Sequence, residues 1–207
     1  MFLTRSGFKR LITGAFRNGG LYVANTSDGM QIFGAEFNMW IKKGMIPKQS
    51  LGDLIALVGE LPEPGEAFSA KKEGIQYEMQ SVMPQLATEL FENCNIYIEP
   101  TRALFVSETY IRIFQNDNMG PVAIKEALYS LISASSVDVE HGEKTPEGPK
   151  AFISEYGGYG GYDRETGAVW MNDVMAISFR FGDTTQVTRE IETLAKTHIA
   201  RTFEEVR

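Results

Sequence analysis

Cysteine is nearly missing from this sequence: Cys94 stands alone among 207 residues. An intramolecular disulfide is therefore excluded, and the fold has to be held by its core. Histidine is almost as scarce, with only His141 and His198, which leaves little material for imidazole-based acid–base or metal chemistry. No apolar run reaches the roughly 18 residues that a membrane-spanning helix needs. The N-terminal stretch holds Arg5, Lys9, Arg10 and Arg17 without a continuous apolar segment, so no secretory leader is expected. These shortages point to a cytoplasmic protein with no membrane span.

Positive charge is also short. The chain carries 20 Lys and Arg against 27 Asp and Glu, a net charge of −7. The deficit is uneven: residues 1–60 hold seven cations and four acids, and the remainder thirteen cations and twenty-three acids. An acidic body disfavours extended binding to phosphate backbones, where each contact needs local positive potential. What remains for such a role is a basic patch of Lys9, Arg10 and Arg17 near the N-terminus.

The material that is present suits a globular domain: 43% apolar residues, 23% charged, and 13 Phe, 8 Tyr and 2 Trp to fill a core. Residues 4–17 predict an amphipathic helix, with Phe8, Leu11, Ile12, Ala15 and Phe16 on one stripe. A hairpin follows through Ser27-Asp28-Gly29, and residues 36–42 alternate as a third strand. Pro47 opens a helix carrying Leu51, Leu54, Ile55 and Val58, which the turn at 61–65 closes. Strands are expected at 74–80, 96–98, 104–106 and 110–114, with Pro100-Thr101-Arg102 as a turn between the second and third. A short helix is expected at 84–93, and Pro121 reads as the start of another with Ile124, Leu128, Leu131 and Ile132 on one face. Val137 and Val139 suggest a short strand, 141–150 a loop, 168–170 and 174–181 strands, and 184–203 a final helix.

Shifting residues 22–58 by 74 or 75 places Tyr22 on Tyr97, Trp40 on Phe114, Pro47 on Pro121 and Leu54 on Leu128. Both stretches read as strands followed by a proline-initiated helix, the outline of an internal repeat. Groups of adjacent strands followed by a helix mean antiparallel meanders rather than a doubly wound sheet. The expected fold is thus one α+β domain over 1–207: an antiparallel sheet of hairpin units with about four helices on one face. Its candidate halves are 20–93 and 95–203, each built on a ββ(β)α unit. Processivity clamps and other duplicated sheet-and-helix proteins resemble this layout in element order alone.

The most unusual stretch runs from 155 to 163. Its glycines, Gly158 and Gly161 among them, let the backbone approach a ligand, and Tyr156, Tyr159 and Tyr162 recur every third residue before Asp163. No Lys-Ser/Thr follows them, so this is no phosphate loop, and Tyr with Gly suits an adaptable contact surface. Asp138, Glu140, His141 and Glu143 match no metal-ligand spacing. Cys94 paired with His141 or His198 lacks the setting that stabilises a thiolate. No residue is assigned to catalysis, a metal or a cofactor.

The expectation is a non-catalytic binding or assembly protein of bacterial or phage origin, acting on a protein partner or on itself. Two alternatives stand beside it: a small enzyme or ligand-binding protein with a pocket lidded by 155–163, and a nucleic-acid-associated factor using the basic N-terminal helix.

Overall fold

The computed structural model describes residues 1–76, 94–106, 110–116, 120–133, 136–137, 144–145, 149–154 and 168–179. The predicted helices at 84–93 and 184–203 lie outside the described residues. So do Asp138, Glu140, His141, Glu143 and the whole Gly/Tyr stretch at 155–163.

The first helix, α1 (Arg5–Arg17), starts where Thr4 accepts the Gly7 N–H on its side-chain oxygen at 3.1 Å, meeting one of the unpaired donors of the first turn. Strands β1 (Leu21–Asn25), β2 (Gly29–Phe33) and β3 (Phe37–Lys42) form a meander. Gly29 sits at its first turn because a Cβ there would run into the Ile41 carbonyl and the Trp40 indole. Helix α2 (Lys48–Val58) begins after Pro47, as expected, and stops at Gly59 with φ of 90°. Strand β4 (Ala67–Lys71), which the sequence reading missed, pairs with β1, and β5 (Gly74–Gln76) pairs with β4.

A second meander comprises β6 (Cys94–Val106), β7 (Tyr110–Asn116) and β8 (Gly120–Lys125), followed by the single-turn helix α3 (Glu126–Tyr129). The short strands β9 (Ser136–Val137) and β10 (Lys144–Thr145) pair with each other, so the segment expected to be only a loop carries a strand. A third meander, β11 (Lys150–Ser154), β12 (Ala168–Asn172) and β13 (Met175–Phe179), is wedged between the other two. Among the described residues, eleven strands result in the order β5-β4-β1-β2-β3-β13-β12-β11-β6-β7-β8. Every pairing among them is antiparallel, as the hairpin pattern predicts.

One face of this sheet carries the main core. Val23, Ile32, Met39 and Ile41 join Ile177, Phe179 and Trp170 across the strands, and Phe8, Leu11, Ile12, Leu54 and Val58 from the helices belong to the same cluster. Trp170, 2% exposed, anchors it, with Phe114 and Phe179 edge-on at 6.0 and 5.5 Å between ring centroids. The apolar pattern of the sequence puts Phe8, Leu54, Leu57, Leu128, Leu131, Ile177, Phe179, Leu194 and Ile199 in the core. Phe8, Leu54, Leu131, Ile177 and Phe179 are buried, Leu57 and Leu128 are half-buried against the cluster, and Leu194 and Ile199 lie outside the described residues. The opposite face is covered at its centre too, where Cys94 and Ala176 pack with Phe152 and Met171.

Two proline-based expectations need correction. Pro121 does not open a helix; it lies in β8 opposite Gln115. Proline is tolerated there because β8 is the last strand of the sheet and needs no N–H on its outer side. The helical spacing of Ile124, Leu128 and Leu131 arises instead from a strand, one helical turn and a bend, all touching one core. Pro100-Thr101-Arg102 likewise makes no turn. Strand β6 continues through it with a register shift between Pro100 and Leu104, stapled by Thr101, whose hydroxyl donates to the Ile113 carbonyl at 2.7 Å and accepts the Ala103 N–H at 3.1 Å. The residue pairs of the candidate repeat divide. Tyr22 and Tyr97 lie in the first strands of their meanders and Leu54 and Leu128 in helices. Trp40, by contrast, lies in a third strand and Phe114 in a second, and Pro47 caps a helix while Pro121 sits in a strand.

Candidate functional site

The hairpin β6–β7 runs past the core. Its register sets Leu104 opposite Arg112 and Val106 opposite Tyr110, so side chains alternate between two surfaces. On one surface Ile111 and Ile113 are buried with Ala103 and Phe105 packed against them. On the other, Phe114 enters the main core, and the surface then opens: Leu104 is 46% exposed, Tyr110 62% and Val106 66%. Three large apolar side chains thus lie together at the distal end of one hairpin face.

Charge borders this patch on its inner side. Arg112 donates from Nε and Nη2 to the two carboxylate oxygens of Glu126 at 2.6 and 2.7 Å, and from Nη1 to the Thr101 carbonyl at 3.0 Å. Its guanidinium also lies 5.3 Å from the centre of the Tyr129 ring. The hydrogen bonds that Arg112 donates to Glu126 raise the Arg112 pKa above its ordinary value, so the guanidinium stays charged. A planar, fully engaged guanidinium fixes the strand where the apolar patch begins.

A second feature lies along α1. A cavity of about 400 Å³ is lined by Arg10 and Gly14 of the helix and its C-cap Asn18, Glu36 and Phe37 at the β2–β3 turn, and Lys125 with Leu128 near α3. Arg10 reaches across it and donates to the Ala127 carbonyl at 2.8 Å.

The sequence-picked basic patch does not act as one unit. Lys9 is turned onto α2, where its ammonium contacts Asp53 at 3.1 Å beside the Arg5–Asp53 ion pair at 2.7 Å. Arg10 is engaged at the cavity, and Arg17 is exposed at the end of α1. Of the sequence-picked contact residues, Tyr156, Gly158, Tyr159, Gly161, Tyr162 and Asp163 all lie outside the described residues. Cys94 is 4% exposed, and burial pushes its thiol up to about 11, the reverse of what a nucleophile needs. Among the described residues no three His, Cys, Asp or Glu side chains come together to hold a metal ion, and no helix is long and apolar enough to cross a membrane.

The hairpin patch was missed, although a signal existed. Ala103-Leu104-Phe105-Val106 and Tyr110-Ile111 are apolar at successive positions. A strand with one buried face alternates, so an unbroken run means that both faces are covered or that one awaits a partner. No family model, curated protein or solved structure matches this chain.

Proposed function

We propose that this is a non-catalytic binding or assembly protein that works through protein–protein contact, with the Leu104–Val106–Tyr110 face of hairpin β6–β7 as the contact surface. The observation that carries the reading is the joint exposure of these three side chains beside a locked Arg112–Glu126 pair. Grouped apolar exposure on a rigid element is what interfaces use, with an aromatic such as Tyr110 as the anchor. Pro121 in β8, which ends the sheet among the described residues, supports contact through the face rather than by strand addition, because proline is a common guard of a sheet edge. The engagement of Lys9 and Arg10 with protein oxygens supports a protein partner over nucleic acid. The same reading takes the chain as one domain with about four helices on one face of the sheet, supported by the main core cluster that α1 and α2 share with it.

The test is a triple variant, Leu104→Ser, Val106→Ser and Tyr110→Ser. Self-association is measured by sedimentation velocity, and partner association by co-purification from the source cell with mass spectrometry. The reading expects a complex or self-associated species with the wild type that is lost in a variant of unchanged melting temperature. Association that survives the triple change places the contact elsewhere.

A further inference from the structure

We infer that the cavity along α1 is a binding site for a small apolar monocarboxylate, with the carboxylate held by Arg10 and Lys125. Its volume, about 400 Å³, falls in the range of small-molecule sites, roughly 300–1,000 Å³. Leu11, Phe37 and Leu131 are buried beneath it and Leu128 is half-buried, which gives an apolar floor. The groove runs along one helix face through Arg10, Gly14 and Asn18, about 12 Å at 1.5 Å per residue.

The Arg10 guanidinium is oriented by the Ala127 carbonyl at 2.8 Å, and no hydrogen bond to a described residue takes its other donors. Lys125, two residues before Ala127, lines the same cavity and makes no ion pair with a described residue. Glu36, at the β2–β3 turn, is the one carboxylate in the lining. A single carboxylate therefore finds two cations, Arg10 and Lys125, in the lining. Gly14 leaves the groove open: a Cβ there meets nothing within 4 Å.

The test is NMR titration of the full chain with hexanoate, octanoate and decanoate, each beside its methyl ester, following the amides of Arg10, Gly14 and Ala127. The acids are expected to saturate these shifts, and the esters to bind at least about tenfold more weakly, as loss of a charge-assisted contact implies. Arg10→Gln and Lys125→Gln should each weaken octanoate about tenfold. Gly14→Leu should fill the groove and abolish binding. It retains helix propensity, and the two charge variants decide the matter if it fails to fold. Absence of saturation at millimolar acid, esters that match the acids, or charge variants that bind like wild type would each overturn the assignment.

Discussion

Asp53 shows how one side chain can hold two helices. Its carboxylate takes Arg5 and Lys9 from α1 at 2.7 and 3.1 Å while belonging to α2, and these hydrogen bonds draw its pKa down to about 2 from 3.8. A depressed folded-state pKa means that the ionised form favours folding. The contribution is complete above pH 3.8 and is lost as the pH falls through about 2. Asp53→Asn should therefore be less stable than wild type at neutral pH, with the two converging toward pH 2; urea melts across that range check it. Cys94 makes the opposite case, a thiol whose pKa burial raises to about 11, so that it is protonated at neutral pH. Iodoacetamide should label it slowly in the native protein and fast in denaturant, and rapid native labelling would contradict its placement under Phe152 and Met171. In the core, Leu54→Ala removes a fully buried side chain and should cost about 2–5 kcal/mol by denaturant titration.

At the scale of elements, legibility followed periodicity. Helix α1 and strand β3 were readable because each buries one face: Phe8, Leu11 and Ile12 recur at helical spacing, and Phe37, Met39 and Ile41 alternate. Prolines misled because position within a sheet cannot be seen in a local window. Pro121 is acceptable in an edge strand and Pro100 at a register shift, yet both look like punctuation. Strand β4 was lost because only Phe68 and Ala70 mark its buried side. The hairpin patch was equally hidden, since exposure at Val106 depends on how far β6 and β7 run beyond the elements that cover Phe114. The border of that patch is testable: Glu126→Ala strands a guanidinium whose side chain is only 19% exposed. It should cost about 1–3 kcal/mol by denaturant melt, whereas Arg112→Met with Glu126→Gln should recover much of that loss.

Over the whole molecule, three meanders are stitched into one sheet by two pairings, β13 with β3, from Met175 with Ile41 to Phe179 with Phe37, and β11 with β6, from Ala151 with Ile98 to Ser154 with Cys94. Such long-range registers could not be read locally, although the antiparallel class could. The helix α3 segment stands between the two candidate sites: Lys125 and Leu128 line the α1 cavity, while Glu126 and Tyr129 hold Arg112 at the foot of the hairpin patch. The central claim is that this patch meets another protein. Its most direct test is photo-cross-linking in the source cell from a benzophenone amino acid placed at Val106, with the exposed Glu63 as the control position. The account predicts one discrete adduct from position 106 that position 63 does not give and that disappears when Leu104 and Tyr110 are made serine. No adduct from 106, or the same adducts from both positions, would contradict it.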